Sequence, residues 1–293
     1  MELSGIYCPI TTPFVNDKVA PDKLAENLQK WNATKLNGYV ILGSTGETVY
    51  LSKSEKVEAI KCALANRARD KKIIIGTGHE STAETIRFTK LVADFGVDGA
   101  LVVTPHYYKN QMIEDSLYRY YISVADNSPI PILIYNVPKF TGLDISPSLV
   151  RKLAPHPNIL GIKDSSNKMS HLTELIKDST SNFHVLIGNY TLLLPGFLIG
   201  AKGAILAFAN VAPYDCVEIY RLFSEKSYNQ ARKLYLRLIP LAKALTSTYG
   251  IPAIKAALDL LGFYGGKPRE PLLTLSQEKI DEIYPLLKEA KLL

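Results

Sequence analysis

Cysteine and long apolar runs are what this 293-residue sequence has least of. Its three cysteines, Cys8, Cys62 and Cys216, lie far apart. No pair has the spacing of a zinc site or a redox motif, and there is no disulfide framework. A reducing cytoplasm fits that usage. Crossing a bilayer takes about 20 consecutive apolar residues. The most apolar stretch, 192–211, is broken by Lys202, so no membrane span is expected. The segment from Met1 to Gly5 has no basic stretch followed by an apolar run, which is not the pattern of a signal peptide. Charge of one sign is not concentrated either. The net charge is +6, from 34 Lys plus Arg against 28 Asp plus Glu, without a basic stripe or an aromatic-interleaved basic motif. The reading is a solvated basic surface and no nucleic-acid partner. With 47% apolar and 21% charged residues, the chain can bury a core, which excludes disorder as its main state.

What is present is a rhythm. Eight short apolar runs, rich in β-branched residues, are each bounded by Gly, Pro, Asn, Ser or Thr. They are 6–10, 39–42, 73–75, 100–103, 132–135, 159–162, 185–187 and 204–206. Such runs read as strands buried on both faces, as in a parallel sheet. Helical patterns fill most of the gaps. Ser52 with Glu55 forms a capping box, Thr82 to Ala93 carries an apolar side, and Ser146-Pro147 opens a further helix. Strand and helix alternating eight times predict an α/β fold, a (β/α)8 barrel, over 1–225. The segments 214–224, 227–247, 251–262 and 276–291 read as helices, so 226–293 is expected to be a helical appendix packed on the barrel.

In such a barrel the chemistry sits where the strands end. The residues there are mostly hydroxylic or small: Thr11-Thr12, Gly43-Ser44-Thr45-Gly46-Glu47, Thr104-Pro105-His106-Tyr107, Tyr135-Asn136, Lys163-Asp164-Ser165, Gly188-Asn189 and Ala207. The five histidines are scattered, with no metal-binding spacing, so no metal site is expected. There is no nucleophile elbow and no Walker loop. Gly76-Thr77-Gly78 lacks the third glycine of a dinucleotide fingerprint. Glu47 and Asp164 make a poor glycosidase pair and read instead as groups that orient backbone.

Lys163 stands apart, because it emerges from an apolar strand, whereas other lysines fall mostly in helical patterns and read as solvated. A lysine in a desolvated pocket loses basicity and becomes an amine nucleophile able to form a Schiff base. The alternative is a lysine that binds phosphate or pairs with an acid. Tyr135 ends the neighbouring run, either as a proton shuttle for an iminium carbon or as an aromatic core plug. Ser44 and Thr45 can hold a carboxylate and relay protons, or cap a helix.

Together, Gly43-Ser44-Thr45-Gly46-Glu47, Tyr135-Asn136-Val137-Pro138 and Gly161-Ile162-Lys163-Asp164-Ser165 resemble the dihydrodipicolinate synthase / N-acetylneuraminate lyase family of pyruvate-dependent class I aldolases. The likeness runs from Gly5-Ile6-Tyr7 to the helical carboxyl terminus. It implies that Lys163 forms an iminium with pyruvate and that Tyr135 transfers protons. It implies that Ser44 and Thr45 bind the pyruvate carboxylate and link Tyr135 to a second tyrosine, Tyr107. That tyrosine reaches into a neighbouring subunit's site, which implies a homo-oligomer, a dimer or tetramer. Gly188 and Ile205 match positions whose backbone lines the pocket, and Ser165 joins the substrate-binding set. No cofactor is implied, since the lysine itself serves as the electron sink.

The resemblance divides on the second substrate, an aldehyde or a 2-oxo acid. Synthases that use aspartate semialdehyde carry an arginine two residues after the proline of Tyr-Asn-Val-Pro. Here that position is Phe140, with Lys139 expected to face away on an extended segment. Ser44, Thr141-Gly142-Leu143-Asp144, His156-Pro157-Asn158-Ile159, Tyr249-Gly250-Ile251-Pro252 and Ser165 look more like 4-hydroxy-2-oxoglutarate aldolases. The expectation is therefore an aldolase that makes or splits a hydroxylated 2-oxo acid. The alternatives are dihydrodipicolinate synthase and a sugar-acid dehydratase working through the same iminium.

Overall fold

The computed structural model describes residues 3–177, 179–180 and 182–293. Met1 and Glu2, part of the segment read for a signal peptide, lie outside the described residues. Each apolar run forms a strand: β1 Gly5–Pro9, β2 Gly38–Ile41, β3 Lys72–Gly76, β4 Gly99–Val103, β5 Ile132–Asn136, β6 Ile159–Asp164, β7 His184–Ile187 and β8 Gly203–Ile205. Nearly every residue in them is buried, because a parallel sheet has side chains packed on both faces. The strand order β1-β8-β7-β6-β5-β4-β3-β2 closes on itself, with parallel pairing of β1 with β2, β4 with β5 and β5 with β6. The fold is a (β/α)8 barrel with further helices after the last strand.

The chain divides into two compact units. One holds Lys72–Ile205 with Leu3 and Ser4; the other holds Gly5–Lys71 with Leu206–Leu293. This division runs differently from the 1–225 and 226–293 expected above, since β1 and β2 group with the carboxyl-terminal helices. In the first unit Val103 lies opposite Tyr135 and Tyr135 opposite Lys163, after one register shift between β5 and β6 at Ile132/Leu133. A Cβ on Gly161 would lie 2.0 Å from the His184 carbonyl oxygen, so only glycine lets β6 lie against β7 there.

In the second unit β1 pairs with β2, Cys8 opposite Tyr39. A small hairpin, Phe14–Val15 with Lys18–Val19, follows β1 and was not legible as a strand pair. The helix Lys53–Asn66 carries the expected capping box, with Ser52 and Glu55 bonding reciprocally. The carboxyl-terminal helices are Pro213–Ser224, Tyr228–Ala242, Ile251–Leu260 and Gln277–Glu289. Among the described residues no helix is long and apolar enough to cross a membrane.

Candidate active site

Lys163 occupies the penultimate position of β6, and Tyr135 the same position of β5. They are register partners, so their side chains leave the sheet on the same side. Lys163 is only 4% exposed, and its Nζ lies 4.1 Å from the centroid of the Tyr135 ring. The side-chain nitrogen thus sits against an aromatic face and away from bulk water.

The next register pair, Asn136 and Asp164, points to the opposite side and builds a polar support. Asn136 Nδ2 donates to Asp164 Oδ1 at 2.8 Å and to Asp144 Oδ1 at 2.9 Å. Asn136 Oδ1 accepts the Ile145 N–H at 3.1 Å. Ser166 Oγ donates to Asp164 Oδ2 at 2.7 Å. His171 is close to both acids, with Nε2 3.7 Å from Asp164 Oδ1 and 3.9 Å from Asp144 Oδ1. Burial pushes the Asp164 carboxyl above the usual carboxylate range, and the bonds from Ser166 and Asn136 only partly offset it. Burial also acts to raise Asp144, but the bonds from Asn136 and Lys168 outweigh it and hold this carboxyl low. Asn136 therefore bridges two acids whose proton affinities are driven apart. Sequence reasoning missed this network. The signal was an asparagine directly after Tyr135, hidden on the outer face of the strand.

Ser165 and Gly188 meet just beyond the ends of β6 and β7. The Gly188 N–H donates to the Asp164 carbonyl at 2.7 Å, and a Cβ on Gly188 would lie 1.9 Å from Ser165 Oγ. The Ser165 N–H donates to the Asn136 carbonyl at 2.8 Å, so the ends of β5, β6 and β7 are stitched together behind the lysine. Ile205 is fully buried at the end of β8. Tyr107 is different. It is 76% exposed, packs edge-on against Tyr108 with ring centroids 5.0 Å apart, and its N–H donates to Glu80 Oε2 at 2.8 Å.

Ser44 and Thr45 belong to the other unit, in the 3-10 turn Ser44–Gly46 that follows β2. Thr45 is buried and Ser44 half-buried. Glu47, which ends the turn, is fully buried and forms an ion pair with Lys255, Oε1 to Nζ 2.7 Å. The expectation that lysines in helical patterns are solvated fails at Lys255. It lies on the buried side of Ile251–Leu260, with its ammonium anchored by that carboxylate.

The turn after β5 is also corrected. Pro138–Thr141 is one helical turn closed by Gly142 at φ +66, not an extended segment, because Pro138 fits a first helical turn and Gly142 the left-handed cap. Lys139 is therefore not on the opposite side of an extended strand from Phe140; its Nζ lies 5.9 Å from the Phe140 ring. A second lysine approaches the same turn. Lys109 Nζ lies 2.8 Å from where a Cβ on Gly142 would stand.

Comparison with known proteins gives one concordant answer. Residues 2–290 match the model of the dihydrodipicolinate synthetase family. A 4-hydroxy-tetrahydrodipicolinate synthase of Archaeoglobus fulgidus is 38% identical over 291 residues, covering 99% of each chain. One from Thermodesulfovibrio yellowstonii is 36% identical over 291 residues, again with 99% of each covered. Among solved structures, a chloride-inhibited dihydrodipicolinate synthase from Acinetobacter baumannii, complexed with pyruvate, superposes with a TM-score of 0.95 at 31% identity over the full length of both chains.

Proposed function

The chain belongs to the dihydrodipicolinate synthetase family, a family of Schiff-base pyruvate lyases, and from that premise we propose that it condenses pyruvate with aspartate semialdehyde, as a 4-hydroxy-tetrahydrodipicolinate synthase. The observation that carries this reading is the buried Lys163 side chain against the Tyr135 ring, in a chain whose relatives above bear the synthase name. It reverses the preference for 4-hydroxy-2-oxoglutarate aldolase. Much of that likeness, at 156–159 and 249–252, lies outside the candidate site and tracks ancestry more than substrate.

The chemistry follows from the lysine. Its unprotonated amine attacks the keto carbon of pyruvate, water leaves, and an iminium forms. The iminium acidifies the methyl carbon, a proton leaves it through the Tyr135 relay, and an enamine forms. That carbon then attacks the aldehyde carbon, one carbon–carbon bond forms, and the aldehyde oxygen takes up a proton. The amino group of the second substrate is then free to displace the lysine and close a ring. In this reading Tyr135 carries protons to and from these centres. Ser44 and Thr45 bind the pyruvate carboxylate and relay protons. Ser165, Gly188 and Ile205 line the pyruvate site. The exposed Tyr107 completes the relay in a homo-oligomer, where a partner subunit covers it.

The absence of an arginine at Phe140 is compatible with this reading because a cation from another segment, Lys109, lies beside the turn. An ammonium gives a point charge where arginine gives a bidentate fork, so a weaker hold on the aldehyde's carboxylate follows. The test is a direct comparison of turnover. The protein is assayed for pyruvate consumption with aspartate semialdehyde, for cleavage of 4-hydroxy-2-oxoglutarate to pyruvate, and for water loss from a 2-keto-3-deoxy sugar acid. The proposal expects kcat/KM with aspartate semialdehyde to exceed the others by at least tenfold. Cleavage of the hydroxylated 2-oxo acid as the preferred reaction would return the aldolase reading.

A further inference from the structure

The turn that carries Ser44 and Thr45 is flanked by two non-glycine residues in the left-handed region, Leu42 at φ +59 and Glu47 at φ +55. Each such residue is strained in backbone sterics and persists only where the surroundings over-determine it. Leu42 is buried, so its conformation serves no surface turn. Glu47 and Gly46 both tie the turn down. The Glu47 N–H donates to the Ser44 carbonyl at 3.1 Å. The Gly46 carbonyl accepts from Thr12 Oγ1 at 2.7 Å.

The Glu47 side chain is gripped from the carboxyl-terminal region. Its Oε1 lies 2.7 Å from Lys255 Nζ, with both side chains fully buried. Its Oε2 accepts the Arg269 N–H at 2.8 Å. Lys255 Nζ also donates to the Lys267 carbonyl at 3.0 Å and lies 4.4 Å from the Phe14 ring centroid. The Arg269 guanidinium lies at the same distance from that ring centroid and binds Glu55 and Asp17. A Cβ on Gly265 would fall 1.9 Å from the Lys255 carbonyl oxygen, so the loop between Lys255 and Arg269 runs directly over its helix. A buried ion pair of this kind is rarely better for stability than an apolar pair of the same volume. Its geometry does something an apolar pair does not. It fixes the direction of one residue, Glu47, at the end of a strained turn.

We propose that Lys255 and Arg269 are positioning residues: through Glu47 they hold the Ser44–Thr45 hydroxyl pair in its working orientation, so that the loop and helix after the barrel govern the reaction without touching the substrate. The inference rests on the roles given to Ser44 and Thr45 in the proposed function and adds the groups that orient them.

The test uses the full chain carrying Glu47→Gln with Lys255→Met, which removes both buried charges together, and Glu47→Gln alone, which keeps an acceptor for Lys255 and Arg269. Thermal unfolding sets an assay temperature at which each is folded. Borohydride trapping of pyruvate on Lys163 and steady-state kinetics are then measured. The double variant is expected to trap pyruvate fully at saturation, while its pyruvate KM rises and its kcat falls, each by tenfold or more. Glu47→Gln alone should lose about three- to tenfold in kcat/KM. A purely structural pair would lower the unfolding temperature and leave both constants of the folded enzyme unchanged, which overturns the inference. If the double variant does not fold, unchanged constants in Glu47→Gln overturn it equally. If the unsubstituted protein fails to trap pyruvate, the proposed function itself falls and this inference falls with it.

Discussion

Replacing Gly188 by alanine tests the tightest backbone approach around Lys163. The added methyl carbon would stand 1.9 Å from Ser165 Oγ and 2.7 Å from the Asp164 carbonyl oxygen. The serine hydroxyl can rotate away. The carbonyl cannot, because it belongs to β6 and accepts the Gly188 N–H at 2.7 Å. Bringing 2.7 Å to an ordinary contact of about 3.4 Å requires the two strand ends to part by roughly 0.7 Å, lengthening that hydrogen bond. Overpacking of this size costs about 1–3 kcal/mol. In a chain of this length that lowers the unfolding temperature by roughly 2–5 °C. Because Asp164 follows Lys163 directly, the shift also displaces the amine, and a pyruvate KM at least about tenfold higher is expected. Ser165→Ala added to Gly188→Ala should recover only part of the loss, since it relieves the hydroxyl clash and not the carbonyl one. The measurements are thermal unfolding and pyruvate saturation of the trapping reaction. Wild-type stability and KM in Gly188→Ala, or full recovery in the double variant, would refute the reasoning.

Other expectations follow from the same geometry. Asn136→Ala removes the amide shared by Asp144 and Asp164 and the acceptor for Ile145, and should cost on the order of 2–4 kcal/mol in denaturant unfolding; a cost under about 1 kcal/mol would show that the network is not holding the strand end. Glu55 is paired with Arg269, which pulls its carboxyl from an ordinary 4.5 down to about 2. A lowered folded-state value stabilises above the unfolded one and is lost as pH falls through the folded one. The stability gap between the protein and Glu55→Gln should therefore shrink as pH drops from about 4.5 to 2. At neutral pH it should stay below about 3 kcal/mol, since the side chain is 23% exposed. Lys109→Gln should raise the KM for aspartate semialdehyde about tenfold and leave pyruvate trapping unchanged, whereas an equal effect on both substrates would remove Lys109 from the second substrate's site.

The barrel was legible because parallel strands buried on both faces leave uninterrupted apolar runs, and each was bounded by turn residues. Caps at Ser52 and Ser146 were legible because they act within three or four residues. Lys163 was conspicuous for a local reason too, a charge at the end of an apolar strand. What escaped is non-local or faces the other way. Lys255 sits in a helical pattern that reads as solvated, and its partner Glu47 lies more than two hundred residues away. Asn136 lies beside a recognised tyrosine, but its role depends on Asp144 and Asp164 arriving from other segments. The turn at Pro138–Thr141 is too short for periodicity to reveal, and only its proline and Gly142 announce it. Substrate preference was the least legible feature, because one missing arginine and stretches mostly outside the pocket both pointed to the aldolase.

The most direct test of the central claim is trapping of the Schiff base. The protein is incubated with pyruvate, reduced with borohydride, and examined by intact mass and peptide mapping. The account predicts one reduced pyruvate per chain, carried on Lys163, and none in Lys163→Ala. A folded protein that takes up no pyruvate, or that carries the adduct on another lysine such as Lys255, would contradict it.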